Sequence, residues 1–587
     1  MLSLFLLVGL AASAELGYGT HQTKLFYHEP PDPVNIRTLN FFFPVDEHLV
    51  LPCVMPIEIK IAYNSYSGEA SIFGEKWTFN HHIRVSKGTN RLEVMEGDGF
   101  LNAYTKERNL ELNKASQIEQ IIVAQKKADV QSGGLKSQQA YDELKRRLSS
   151  DEAYRDEQAN KLLSTARPIT PGVYYSFSRG PSTVELKEDG SYIRKFQNGS
   201  AEFFNKEGRL LKTQDRNGNF ISYAYAGTNL SRINDQCGRY VSFFYQADPL
   251  VKNFIQKLQD SIGRTITYEF AGKRLKSYVD ANGRKMEFDY DKSGNVVRLK
   301  STKPTQAPDT IDLSYNDKFE VLDQKGPGTK ETRYKRTFVA NNPNHSITEI
   351  SKFEGGKSAG RELHEFRVKE YETVTKFDPS GKEVSREVKT ISPATGYPTS
   401  ILDAQGRGDK FIYDAKSGNL LKREATPSGE AMEFEYEDRC SQVKSMKTSN
   451  RGKPVSEMRF KFDQKCNLKE AEEIADGKQR VYISLDYLKN GKLAFLRDKV
   501  GKKEIAFTYW IYGKPESITL RDTGTLLVKY SNVGDIEKVD TFPHGASAAR
   551  FKGQAKAEYQ SVILAEVRAA LDSMLSYLRP AGLNIGL

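Results

Sequence analysis

The chain has 587 residues, 87 basic against 76 acidic side chains, a net charge of +11, and 38% hydrophobic residues. That length exceeds one ordinary core and calls for several domains or one repeat array. The basic excess is thin, scattered among acids and without a compact cluster, so nucleic acid is not expected as a partner. A well-solvated surface is the simpler reading, with affinity for anionic glycans or an envelope surface as the alternative.

Leu2 to Leu10 is a short apolar run, and Ala12-Ser13-Ala14 follows it as a small-x-small cleavage pattern before Glu15. Residues 1–14 therefore read as a signal peptide, although no Lys or Arg precedes the run. The product is expected in the periplasm, on the outer surface or in the medium. No later segment approaches the length of a transmembrane span, and none is expected. Cys53, Cys237, Cys440 and Cys466 are too sparse for a disulfide framework and lack the paired spacing of a zinc site. After export, a Cys440–Cys466 bridge is favoured, with buried free thiols as the alternative.

Residues 15–104 read as a small β-domain, with Tyr63 and Trp77 as its core anchors. His81-His82 is the only adjacent histidine pair, and strand neighbours point to opposite faces, so the two cannot readily share a metal. Residues 105–167 break the β pattern. Ile118, Ile121 and Ile122 mark one helix, Tyr141, Leu144 and Leu148 a second, and Tyr154, Leu162 and Leu163 a third. An α-hairpin packed outside the main body is the simpler reading, and a docking arm for a partner is the other.

From 168 onward the chain repeats itself. Asp-x-x-Gly recurs at Asp215–Gly218, Asp235–Gly238, Asp260–Gly263 and Asp280–Gly283, then at Asp378–Gly381, Asp403–Gly406 and Asp498–Gly501. The Asp can hold the backbone two residues on, and Gly tolerates the positive φ that ends such turns. An alternating strand follows each turn, as in Ile221-x-Tyr223-x-Tyr225, Val241-x-Phe243-x-Tyr245 and Met286-x-Phe288-x-Tyr290. Period-two alternation in so many copies predicts hairpins laid side by side, because a lone hairpin is marginal in water. The predicted segments are 168–301 and 371–550, with a degenerate stretch at 302–370. The stripe Tyr559, Ile563, Val567, Ala570, Leu571, Met574 and Leu578 then predicts a helix within 551–587. It is expected to cover an open sheet edge or plug a shell mouth, with docking to a second protein as the alternative.

The stretches Tyr290-Asp291-Lys292-Ser293-Gly294-Asn295 and Asp-x-x-Gly, alternating at about twenty residues, resemble the YD repeats of the RHS family. Asp32-Pro33-Val34-Asn35, Ala62-Tyr63-Asn64-Ser65 and Phe73-Gly74-Glu75-Lys76-Trp77 are similar to the domain that precedes the repeats in many RHS proteins. The resemblance implies a mainly β fold: a long curling antiparallel sheet forming a shell or partial shell, one end of which the N-terminal domain helps to close. Arg579-Pro580-Ala581-Gly582-Leu583 echoes the family's Asp-Pro-x-Gly-Leu core motif without its Asp-Pro order. Only four residues follow it, which leaves no room for a toxin domain.

No nucleophile elbow, zinc-protease motif or phosphate-binding Gly-rich loop is present. No enzyme, cofactor, metal site or catalytic residue is therefore expected. The leading reading is an exported non-enzymatic scaffold that touches a cell-surface or envelope glycan or protein. The alternatives are a shell that encloses or delivers a separately encoded toxin, and, less favoured, an enzyme acting on envelope glycans through carboxylates that the sequence does not single out.

Overall fold

The computed structural model describes residues 33–578, apart from breaks at 69, 89, 107–109, 151, 164–168, 177–180, 305, 343, 369, 393–396 and 415–416. The signal peptide expected at 1–14 and the motif at 579–583 lie outside the described residues.

From Gly172–Ser176 to Ile536–Pro543, 33 strands form one antiparallel sheet in which each strand pairs with its neighbours in sequence. The described ladders do not join its ends. Gly172–Ser176 pairs with Ser182–Leu186, and Ile536–Pro543 pairs with Gly524–Tyr530. The wall is therefore an open ribbon, and the stretch expected to be degenerate continues it through Asp309–Tyr315, Val321–Lys325, Lys330–Phe338, His345–Glu354 and Lys357–Arg367.

The turn chemistry is what the repeated Asp requires. The Asp215 carboxylate accepts from the backbone N–H of Asn217 and Asn219 at 2.8 and 2.9 Å, and Gly218 takes φ +94°. Asp235, Asp260, Asp280, Asp378 and Asp403 repeat the pair of bonds. Two further copies were hidden from the sequence pattern. Phe319 and Cys466 stand where the others have Gly, at φ 62° and 64°. The Asp498 turn departs from the set, with Lys502 rather than Gly501 carrying the positive φ.

The tyrosine that closes each unit sits beside a β-bulge, after Ala224, Phe244, Asp289, Glu435, Thr508 and Lys529. A bulge re-aims the side chain that follows it. Each hydroxyl then donates to a main-chain carbonyl fifteen or sixteen residues back: Tyr225 to Leu210, Tyr245 to Leu230, Tyr290 to Leu275, Tyr436 to Leu420, Tyr509 to Leu493 and Tyr530 to Pro515, all at 2.7–2.9 Å. These tyrosines are latches between successive hairpins, and all but the buried Tyr530 stand half-buried outside the buried row.

Curvature follows from who touches whom. The turn at 215–219 lies between the fifth and sixth wall strands, and that at 463–467 between the twenty-sixth and twenty-seventh, 21 strands later. They meet: Arg216 Nε donates to Asn467 Oδ1 at 3.1 Å, and Asn467 Nδ2 to Asn217 Oδ1 at 2.9 Å. Asn219 likewise donates to the Asn490 carbonyl at 2.8 Å. At about 4.8 Å per strand the ribbon comes round once in roughly 100 Å and seats its second turn rim to rim on the first.

The N-terminal domain carries a three-stranded sheet, Phe42–Leu51, Ile57–Asn64 and Trp77–Phe79, and a second one, Arg84–Lys87, Leu92–Met95 and Leu101–Tyr104. The inserted helices Leu110–Gln131, Gln138–Ser150 and Glu152–Leu162 pack on one another around Ile118, Ile121 and Leu148. They form a three-helix bundle where an α-hairpin was the simpler expectation. The C-terminal helix Lys556–Ser576 buries Ile563, Val567, Ala570 and Met574 against the last three wall strands. A Cβ on Gly524 would stand 2.7 Å from the Phe542 carbonyl and 2.9 Å from Ile563, so the helix lies as close to the wall as a glycine allows.

Candidate functional site

The feature that organises the molecule is an interlock of the N-terminal domain, the wall and the seam between the two turns. The domain's backbone meets the wall at Gly208 (from Val85), Ile255 (to Ile72), Lys273 (from Glu75) and Val321 (to Leu39), with N–H···O distances of 2.7–2.9 Å, and Thr105 bridges to Tyr175. Those points run from the first wall strand to the fifteenth, about 70 Å along the sheet. A domain of this size is only about 30 Å across, so the wall must curl around it. The domain fills the first turn rather than standing as a cap before it.

Its core anchors are those the sequence singled out. Tyr63 and Trp77 are fully buried. The Tyr63 hydroxyl donates to the Gly294 carbonyl at 2.9 Å and accepts from the Val296 N–H at 3.1 Å, and burial pushes its ionisation far upward. Trp77 packs on Phe288 with ring centres 5.0 Å apart and donates to the Tyr290 hydroxyl. Phe73 meets Tyr268, and Phe79 meets Phe243.

The histidines of this region are structural in their contacts. His81 bonds the Tyr223 hydroxyl and the Glu58 carbonyl, both at 2.8 Å, whereas His82 stacks on Phe79. The two lie in the turn after strand Trp77–Phe79 rather than on a strand, so the alternation expected of them does not apply. Burial lowers His81 to about 4 and His48 to about 3, so both are neutral donors or acceptors at neutral pH.

Where the domain's last strand meets the wall, Arg194 lies between two carboxylates. It reaches Glu96 at 2.5 and 2.9 Å and Glu202 at 3.3 Å. Asn102, Tyr104, Ser176 and Ser182 close the surrounding network. Desolvation raises the Glu202 carboxyl to about 7 despite the guanidinium. These carboxylates are buried where the domain meets the wall, and their geometry is that of a joint. The sequence carried one signal of them: Arg194 and Glu202 occupy the inward phase of alternating strands, beside Tyr192 and Phe204.

All four cysteines are bonded. Cys440–Cys466 is the expected pair, and the alternative of free thiols is set aside. Cys53–Cys237, 184 residues apart, was not foreseen. It ties the tip of the domain's first hairpin to a wall turn, and Cys237 Sγ lies 3.9 Å from the Ile511 carbonyl of the second turn. Both bridges therefore reach turns at the seam. A cavity of about 270 Å³ opens there, lined by Asn217, Asp463, Lys465, Asn467, Asp486 and Lys489.

A family model described as a domain of unknown function, DUF6531, matches residues 31–104, the segment that fills the first turn. No curated protein matches. Among solved structures, the Photorhabdus luminescens Tc holotoxin pore is similar at 10% identity and a TM-score of 0.38, over 63% of this chain and 24% of that one. The crystal structures of TcdB2-TccC3-TEV and TcdB2-TccC3-Cdc42 give 11% and 10% identity and TM-scores of 0.36 and 0.34. They cover 83% and 85% of this chain and 27% and 30% of theirs, so the chain spans less than a third of their length. The chain thus carries tandem hairpins in one continuous curling sheet behind a domain that matches the DUF6531 family model.

Proposed function

We propose that this chain is an exported, non-enzymatic scaffold whose wall is filled by its own segments and which meets its partners through its outer face and rims. The observation that carries this reading is the burial of the inward rows. Ile233, Val241, Leu258 and Ile266 in the first turn, and Leu468, Ile483, Leu493 and Ile505 in the second, are fully covered. A water-filled lumen in front of them would leave them exposed. The polypeptide enclosed by the described wall is this chain's own N-terminal domain and C-terminal helix. A separately encoded effector finds no room at those rows, which favours the scaffold over the delivery shell. Two disulfides support export to an oxidising compartment. No helix among the described residues is long and apolar enough to cross a membrane.

The test uses the full chain secreted from a bacterial host. Solution scattering is expected to give a radius of gyration of about 25 Å, that of a compact chain of this length. Mass spectrometry is expected to find one polypeptide, and the protein should sediment with bacterial envelopes in a salt-sensitive way. A stoichiometric second polypeptide sealed inside, or no envelope binding at any salt concentration, overturns the reading.

A further inference from the structure

The turn at Asp235 departs from its siblings in one respect. In four other turns the second carboxylate oxygen of the turn Asp is held by the side chain four residues on. Asn219 holds that of Asp215, Arg264 that of Asp260, Arg407 that of Asp403 and Asn467 that of Asp463, at 2.6–3.0 Å. At Asp235 the equivalent residue is Arg239, and it is turned away. Its guanidinium lies 3.2 Å from the ring centre of Tyr512, with Nε and Nη1 unbonded. Asp235 Oδ1 still accepts from the N–H of Cys237 and Arg239 at 2.8 Å, which fixes the carboxylate in place. Asp235 Oδ2 has no hydrogen-bond partner, although the residue is only 7% exposed. One carboxylate oxygen of Asp235 and the two sulfurs of Cys53 and Cys237 all lie within 4.8 Å of one another.

We propose that Cys53, Cys237 and Asp235 form a two-state joint, a disulfide when oxidised and a binding site for one zinc-class divalent ion when reduced. Two sulfurs and one oxygen are a donor set that zinc accepts, with the fourth position left to water. Tetrahedral ligation at a Zn–S distance of about 2.3 Å sets the sulfurs roughly 3.7 Å apart, so the two bonded sulfurs must separate once the disulfide is reduced. The charges balance in both states. In the disulfide, Asp235 and Arg239 offset each other. With metal, two thiolates, one carboxylate, the dication and Arg239 again sum to zero. This matters because a buried net charge is strongly unfavourable.

The chemistry is closed. A dithiol reductant passes two electrons and two protons to the S–S bond and leaves as its own disulfide, and metal binding then displaces the two thiol protons. The joint would thus keep the N-terminal domain pinned to the wall under reducing and oxidising conditions alike.

The test uses the full chain, reduced without oxygen by a phosphine, which takes the oxygen of water to become a phosphine oxide. Zinc chloride is then titrated against a competing chelator dye. The double variant C440S/C466S is expected to bind one zinc per chain when reduced and none when oxidised. Asp235→Asn keeps the Oδ1 acceptor that holds the turn, and it is expected to weaken zinc at least tenfold in the reduced state. Cobalt(II) in place of zinc should give a thiolate charge-transfer band that Cys53→Ser abolishes. The proposal fails if the reduced protein takes up no zinc. It also fails if Asp235→Asn binds as tightly as the unmodified chain, or if the zinc follows Cys440 and Cys466.

Discussion

The wall before residue 302 and the wall at 345–403 are made of the same hairpin, yet they differ in what faces inward. In the first, Tyr268, Tyr278 and Met286 stand opposite one another across three strands, and all three are buried. In the second, the row continued from Tyr334 and Ile350 passes to Glu362, then Lys376, then Ser385. Glu362 there pairs with Lys352 and His364, whose hydrogen bonds, His364's first, hold its carboxyl down to about 2. The strands also lengthen, to eleven residues in Lys357–Arg367 against six in Lys285–Tyr290. The comparison teaches that the sheet does not demand apolar rows for its own sake. Where the N-terminal domain or the C-terminal helix stands before the wall, the rows are apolar. Between them, longer ladders and cross-strand ion pairs carry the ribbon.

The sharpest way to break that comparison is to remove one contact on each side of it. Trp77→Ala deletes a fully buried ring packed on Phe288 and Tyr63, and should destabilise the first turn by about 3–5 kcal/mol. Lys376→Ala, at the same phase in the unfilled stretch, should stay within about 0.5 kcal/mol. Chemical denaturation measures both, and equal effects would remove the distinction. The second turn offers the next largest test. Ile563→Ala empties the centre of the helix–wall contact and should cost about 2–4 kcal/mol. Hydrogen exchange should place the loss in strands 515–543 and leave the first turn protected.

Much of this was readable from the sequence. The Asp-x-x-Gly spacing marked the hairpins, alternation marked the buried face, and the stripe from Tyr559 to Leu578 marked the helix. What escaped notice did so for physical reasons. Period-two alternation says which face is buried and nothing about curvature, so the sequence could not show that Tyr63 and Trp77 lie inside the first turn. Phe319 and Cys466 take a glycine conformation without being glycine, which hid two turns. Bulges shift Tyr245 and Tyr290 out of the row that simple alternation assigns them. Cys53 and Cys237 meet only because the ribbon closes around the domain, and no local pattern links positions 184 residues apart.

Glu202 tests the filled side by pH. Its folded value of about 7 lies above the ordinary 4.5, so the stability tied to its neutral form is complete below pH 4.5 and is lost as pH rises through 7. The loss should approach roughly 3 to 3.5 kcal/mol by pH 8, since one pKa unit is worth about 1.4 kcal/mol. Glu202→Gln should flatten this dependence and leave the variant more stable than the unmodified chain at pH 8 but not at pH 4. Parallel slopes for the two proteins in denaturant titrations across that range would show that Glu202 stays ionised behind Arg194.

The last effect is one that should ignore the comparison altogether. The tyrosine latches recur in both turns with the same geometry, and each joins a hydroxyl to a carbonyl within neighbouring hairpins of the wall. Neither the N-terminal domain nor the C-terminal helix supplies the acceptor. Tyr245→Phe in the first turn and Tyr436→Phe in the second each remove one half-buried hydrogen bond and leave the ring in place. Each should therefore cost about 1 kcal/mol, and the two should agree within a few tenths. If Tyr245→Phe proved severalfold worse, the latch would owe its strength to the domain packed before it. The wall would then be specified from inside outward rather than hairpin by hairpin.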